Sequence, residues 1–534
     1  MKLSHGLHLN ALGNAGLLER VGSPRADLLR KLASRMQADA TEEHLQKPGL
    51  PAGYTYLGQL VAHDMTKPID PMFLGLDVPD EVSVTRDWPL FLETLYGDGP
   101  IGTPLIYQLS GGDAYLGRNG KLRLGLTRGN GTQGEQAPLH ARDVPRLGCP
   151  VSQSQFSPTR RGQPVPSECV SGLFGSANAG RTVATEPLLF DPRNDDNLII
   201  SQLLTVFIRL HNHLYDAVHR QNETDMLQSF RHARNMTTAI YQQILLEDYF
   251  AKILDGRVWR FYRDQKGRDE LPYSDPNGGR FYVPPMFKHG AFRMGHAMVH
   301  REYKLARMDG KSNLASFLER ETTRSRDRLP ITSKWVIDFT HETDGFFDTD
   351  FAEAGNRSRV FSPSIEPTLN KKRQDVADGL FSQEPKAQMQ LSLTYLDLLR
   401  AEKTVQSNFE EIRGPLEKTT LLKGSVFKTA EEGQAKMQRW LLRPPKPYED
   451  PLSAAEAAEI AANPPLPFAV TFEAKNKIRL GKLGSALVAR TVAPILMNST
   501  YKTKRSAGLA LAAQHLNIPE KQLGQIKTIL EIFT

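Results

Sequence analysis

The sequence predicts a mainly α protein, and three observations carry that prediction. Apolar residues recur at helical spacing in long segments throughout the 534 residues. Alternating, strand-like patterns are few and short. Hydrophobic residues make up 40% and charged residues 24%, the balance of a globular chain with enough apolar surface to build a large core.

Taken in order, the chain opens with "MKLSHGLHLNALGNAGLLER", whose apolar patch is broken by His, Asn and Gly. It lacks the continuous apolar run of a signal peptide, and no later stretch is long enough to span a membrane. A soluble, cytoplasmic protein without a membrane partner is expected, with residues 1–49 as an N-terminal extension. Residues 54–68, "YTYLGQLVAHDMTKP", set Tyr56, Leu57, Leu60 and Val61 at helical spacing, and Pro68 closes the helix. Gln59, His63 and Asp64 interrupt that apolar run and need partners, because unpaired polar burial is costly.

Residues 109–185 are rich in Gly, Pro, Ser and Arg. They are expected to wrap over a helical body or stay mobile. The helix predicted over 197–218 places Ile200, Leu203, Phe207, Leu210 and Leu214 on one stripe, with Asp195 or Asp196 as its cap. Residues 225–254 continue in the same style. Further helices are predicted near 286–302, 376–408, 430–442, 453–462, 482–498 and 519–533. "RWLLRPPKPYEDP" at 439–451 reads as a Pro-rich connector between helices.

Charge excludes one class of function. The net charge of +7 and pI near 9.1 are spread thinly, without a block of five or six like charges, so no nucleic-acid partner is expected. Cys149 and Cys169 make neither a disulfide framework nor a cysteine-based metal set, and free thiols are expected.

Three polar constellations stand out among the helices: His63 with Gln59, Arg193 in the polar turn before the helix at 197, and His296 between Gly295 and Ala297. A haem iron needs an axial imidazole, peroxide chemistry on its other face needs a base, and cleavage of the O–O bond is helped by a fixed cation. His296, His63 and Arg193 are of the types that fill those roles. A competing reading pairs His296 and His300 at i and i+4 as ligands of a non-haem metal. It lacks the glutamate that follows the first histidine in zinc proteases, where Ala297 stands, and shows no third ligand.

The motifs decide the weighting. "PAGYTYLGQLVAHDMT" resembles the distal-histidine motif of the animal-type haem peroxidases, the peroxidase–cyclooxygenase superfamily, and looks closest to bacterial members. "DPRNDDNLIISQLLTVFIRLHNHL", with its Arg209-x-His211-Asn212 ending, resembles the catalytic-arginine segment. "AFRMGHAMV" resembles the proximal-histidine motif. Weaker similarity continues through "LPITSKWVIDF", "LSLTYLDLLRAEK" and "GKLGSALVARTVAPIL". The resemblance covers roughly residues 50–500 and implies a helical fold with haem buried between central helices and long loop insertions. It makes 50–500 the catalytic domain, with 109–185 its least matched part and 501–534 a helical tail.

Residue by residue, the resemblance implies His63 as distal acid–base, Arg193 as its charged partner and Gln59 as the distal glutamine near iron. It implies His296 as the iron ligand and Arg293 as a haem-side arginine. Departures are equally specific. The mammalian ester-forming aspartate before the distal histidine is Ala62, the second ester position is Asp196, and the sulfonium methionine is Asn197. Haem b held non-covalently, or linked once through Asp196, is therefore expected. Asp196 also reads as an ordinary helix N-terminal charge.

Asp64 and Glu93 are the candidate ligands of the family's calcium site, which Phe91 weakens by removing an oxygen. Asp397 aligns with the asparagine that holds the proximal histidine. The alternative for Asp397 is a helix-surface pair with Arg400. Arg293 stands where the dioxygenase branch carries its radical tyrosine, which disfavours that chemistry; Tyr56, Tyr96 and Tyr249 read as packing residues.

The resemblance implies a peroxidase that reduces hydrogen peroxide through a ferryl intermediate and oxidises a small-molecule or halide donor. A specialised oxygenase or halogenase, or a catalytically silent scaffold, would share the same motifs.

Overall fold

The computed structural model describes residues 24–37, 47–67, 86, 88–109, 118–126, 142–146, 187–222, 225–264, 283–305, 311–313, 331, 335–339, 345–347, 356–367, 369, 392–405, 407–447 and 449–533. Cys149, Cys169, Pro68 and most of 109–185 and 376–391 lie outside them.

The described chain is mainly α, as the periodicity predicts. Its principal helices are α1 (Pro24–Arg35), α2 (Gly53–Met65), α3 (Leu198–Asn222), α4 (Met226–Ile244), α5 (Leu393–Thr404), α6 (Leu466–Glu473), α7 (Lys482–Met497) and α8 (Ser499–Leu516). Among the described residues, strands appear only in two-stranded antiparallel pairs, such as Pro48–Pro51 with Arg357–Arg359. Helix α4 packs against both α3 and α8, and α2 packs against α3. One apolar core runs through all of these, including Leu57, Leu60 and Val61 of α2 and Leu203, Phe207, Leu210 and Leu214 of α3. The stripes read from the sequence are therefore the buried ones. Among the described residues no helix is long and apolar enough to cross a membrane.

Four local differences from the sequence reading have physical causes. Helix α3 is capped by Asn197, whose Oδ1 accepts from the Ile200 amide at 3.0 Å, and not by Asp195 or Asp196. Asp195 is instead gripped by both terminal nitrogens of Arg146 at 2.8 and 2.9 Å. The segment expected as one helix over 225–254 holds a π turn at Leu245–Tyr249. That turn presents Asp248, which accepts from the Tyr54 hydroxyl at 2.8 Å and the Ile526 amide at 3.0 Å.

The third difference is at 286–302. It is a π turn (Met286–Gly290) running into a 3-10 helix (Ala291–Met298). Pro284 and Pro285 precede it, and Gly290 breaks its geometry with φ −106°, ψ −97°. Only glycine suits that position, because a Cβ there would lie 2.7 Å from the Leu466 side chain of α6. Fourth, the segment 519–533 is a short 3-10 turn (Gln522–Gly524) followed by a helix at Ile526–Glu531.

The described part of the Gly-rich region does wrap over the helical body. Strand Arg118–Leu122 lies along α3, where Asn212 accepts from the Leu122 amide and donates to its carbonyl, both at 2.8 Å. His211 Nε2 sits 2.8 Å from the Gly120 carbonyl. His211 and Asn212 of the Arg-x-His-Asn motif thus tie a strand to a helix.

Candidate functional site

Helix α2 delivers His63, buried at 8% exposure, to the polar turn at Pro192–Asp195. Its Nδ1 lies 2.9 Å from Asn194 Oδ1, and Nε2 has no partner among the described residues. Burial, followed by the charge of Arg193, pushes the imidazole down to about 4, so it is neutral at neutral pH.

Arg193 is held tightly. Its Nε donates to Asp191 at 2.9 Å, its Nη1 to the Thr66 hydroxyl at 3.2 Å, and its Nη2 to Asp191, the His63 carbonyl and the Thr66 carbonyl. The guanidinium is thereby clamped to the C-terminal end of α2. Asp191 is the hub of this arrangement. Fully buried, it also accepts from Arg86 and from the Thr94 hydroxyl, and caps the turn by accepting from the Arg193 amide. Burial opposes its ionisation, but Arg193 and Arg86 outweigh that and hold it well below the usual carboxylate range.

Gln59 accepts from Asn197 Nδ2 at 3.0 Å, so the residue that caps α3 also fixes the glutamine carbonyl. Its amide NH2 has no partner among the described residues. Asp196 closes the same turn, half-buried and close enough to His63 to favour its protonation.

The two carboxylates expected at a calcium site accept hydrogen bonds from the protein itself. Asp64 takes the Leu92 amide at 2.9 Å and the Thr94 amide at 3.1 Å, and burial pushes it up to about 7. Glu93 takes the Trp88 amide at 3.1 Å and faces Arg86 at 3.4 Å. Asp64 thereby stabilises a strained loop in which Leu90 and Leu92 both have positive φ, of 66° and 55°. Each such bulky residue costs on the order of 1–3 kcal/mol. Among the described residues no group of three or more His, Cys, Asp or Glu is arranged to hold a metal ion.

His296 lies on the 3-10 helix, which packs against α2 on one side and α6 on another. Its Nδ1 is 2.6 Å from Asp397 Oδ2, across from α5. Arg293 Nη1 stands 3.5 Å from the other carboxylate oxygen. Burial works against the charge of Asp397, but His296, Arg293 and Arg400 hold its pKa well below the usual range. The surface-pair alternative for Asp397 is overturned: Arg400 contributes, but the hydrogen bond goes to His296. His300 falls beyond the end of the 3-10 helix, so the i, i+4 spacing does not put it on one helical face with His296, and its Nδ1 is 3.0 Å from the Glu302 carbonyl.

Two features beside His296 suit a flat anionic group. A Cβ added at Gly295 would meet none of the described residues within 4 Å, which leaves space beside it among them. Arg293 Nε is buried without an acceptor among the described residues, and a carboxylate on the incoming group would satisfy it.

Sequence reasoning missed Asp191, Asn194, Thr94 and Arg86. The one local signal was Asp191 before Pro192, the pattern of a cap followed by proline at the first turn position.

Residues 163–370 match the model of the animal haem peroxidase family. That span includes Arg193, Asp196, Arg293 and His296, and leaves out Gln59, His63, Asp64, Glu93 and Asp397. Among solved structures, the chain is similar to peroxidase A from Dictyostelium discoideum at 14% identity, over 95% of this chain and 88% of that one, with a TM-score of 0.45. It is also similar to fatty acid alpha-dioxygenase from Oryza sativa at 12% identity, over 96% and 78%, with a TM-score of 0.48. The Arabidopsis thaliana alpha-dioxygenase matches at 14% over 62% and 52%, with a TM-score of 0.35. No curated protein sequence matches the chain significantly.

Proposed function

For a chain whose residues 163–370 match the animal haem peroxidase family, we propose a haem-dependent peroxidase that reduces hydrogen peroxide and oxidises a small-molecule or halide donor. The observation that supports this reading best is the contrast between its two site histidines. Both have Nδ1 engaged and Nε2 without a partner among the described residues, but their partners differ in charge. His296 faces a carboxylate, which makes an imidazole a stronger donor to a metal. His63 faces a neutral amide instead, and burial together with the charge of Arg193 keeps it uncharged and able to take a proton.

His296 would hold the haem iron and Arg293 a haem carboxylate, with the haem non-covalent or linked once through Asp196. Bound there, the haem would supply the electrons for cleaving the peroxide O–O bond. His63 Nε2 takes the proton from one peroxide oxygen, the one that stays behind, and delivers it to the other, which leaves as water. Arg193, clamped by Asp191, keeps a fixed positive charge beside that transfer. Gln59, its carbonyl occupied by Asn197, turns its NH2 toward water or a halide. Two electrons from the donor complete the reduction of peroxide to water.

The test is the His63→Gln variant with haem content measured beside activity. The second-order rate with peroxide is expected to fall by about 10²–10⁴ with haem content unchanged. A fall of less than about tenfold would remove His63 from the chemistry.

A further inference from the structure

The hydrogen bonds around His63 run in one direction, and that direction sets its tautomer. Asp191 is charged and can only accept, so the Thr94 hydroxyl, 3.3 Å away, donates to it. The Thr94 oxygen is then free to accept from Asn194 Nδ2 at 2.9 Å. The Thr94 carbonyl, also an acceptor, faces the same Nδ2 at 3.5 Å, so the amide cannot be turned round without opposing two oxygens. Asn194 Oδ1 is left facing His63 Nδ1 at 2.9 Å as an acceptor. An imidazole beside a fixed acceptor puts its proton there.

We infer that Asn194, oriented by Thr94 and Asp191, is a positioning residue that holds His63 as the Nδ1–H tautomer, leaving Nε2 unprotonated. The observations that carry this are independent of any bound group: all four residues are buried at 8% exposure or less, and each link is a direct contact. One carboxylate, Asp191, both clamps Arg193 and anchors this relay. The catalytic consequence rests on reading His63 as the peroxide base: the free Nε2 lone pair is the nitrogen that can take a proton.

The experiment is ¹⁵N NMR of the full-length chain labelled at histidine, near neutral pH and without added haem, with His63→Gln assigning the signal. The expected spectrum shows His63 with a protonated Nδ1 and an unprotonated Nε2. Asn194→Leu, which removes the acceptor, shifts the population toward Nε2–H, and Asn194→Asp, which restores an acceptor, shifts it back. Thr94→Val, which frees the amide to turn, also moves toward Nε2–H and serves if Asn194→Leu does not fold. In haem-loaded protein, Asn194→Leu lowers the peroxide rate at least about tenfold and Asn194→Asp recovers part of it. A wild-type His63 already in the Nε2–H form overturns the inference. So does an unchanged tautomer in folded Asn194→Leu and Thr94→Val. An Nδ1–H tautomer that responds to both variants, in a chain that never reacts with peroxide, upholds the relay and sinks the peroxidase reading instead.

Discussion

Replacing Asp191 with alanine tests the hub on which the arrangement of Arg193 and His63 is built. Asp191 is fully buried and accepts from Arg86, from Arg193 and from the Thr94 hydroxyl. Arg193 has a quarter of its side chain exposed and can turn to water. Arg86 cannot: it is 2% exposed, and its remaining acceptors among the described residues are the His63 carbonyl at 3.3 Å and Glu93 at 3.4 Å. Breaking a buried pair by removing one partner costs about 3–5 kcal/mol where the other charge is left unpaired, and the Glu93 carboxylate 3.4 Å from Arg86 holds the loss to the low end of that range. Losing the cap on the 192–195 turn adds about 1 kcal/mol.

At ~2.1 cal/mol/K per residue, unfolding a cooperative chain of 534 residues carries about 1.1 kcal/mol/K, so the loss appears as a fall in Tm of about 4 °C. Calorimetry with matched denaturant melts measures it. The double variant Arg86→Met/Asp191→Ala removes the stranded charge and is expected to recover about 2 kcal/mol of the single variant's loss. A single-variant cost below about 1 kcal/mol, or a double variant that is simply additive, would refute the claim that a stranded Arg86 charge is what makes Asp191 matter.

Three further outcomes follow from the same geometry. Because burial and Arg193 lower His63 to about 4, its base form persists as pH falls through the ordinary histidine range. The peroxide rate constant should therefore stay level from neutrality to about pH 5 and halve near 4, and an acid limb at about 6.5 would contradict this. Asp397→Asn leaves His296 without its carboxylate partner and should weaken haem affinity about 10–100-fold in a spectroscopic titration; an unchanged affinity would make Asp397 incidental. Asn197→Ala loses the α3 cap and the support of Gln59, and should cost about 1 kcal/mol in denaturant melts; no loss would mean that the cap is supplied elsewhere.

The parts of the fold that were legible are those where local pattern and burial coincide. Helices α2 and α3 bury the stripes that their spacing marks, and Asp397 was reached through its place in the "LSLTYLDLLRAEK" segment. Residues 291–298 misled because apolar content suggested a helix, whereas two prolines, Gly290 and close packing on Leu466 set a tighter coil. The relay around His63 was not legible. His63, Thr94, Asn194 and Asp191 come from three separated segments, and their meeting is a matter of tertiary packing that no local period records. Asp64 shows the same limit. Its position after His63 suggested a cation ligand, while its neighbours in space are the backbone amides of a strained loop.

On the proposed function, His296 holds a haem on which His63 can act. The most direct measurement is the visible spectrum of the full chain titrated with haem, then with one equivalent of peroxide, beside His296→Ala and His63→Gln. The account predicts a Soret band of histidine-ligated haem in the wild type and in His63→Gln, lost in His296→Ala. It also predicts a prompt shift with peroxide in the wild type that His63→Gln slows by about 10²–10⁴. A wild-type Soret band that survives His296→Ala unchanged would place the ligand elsewhere and contradict the account.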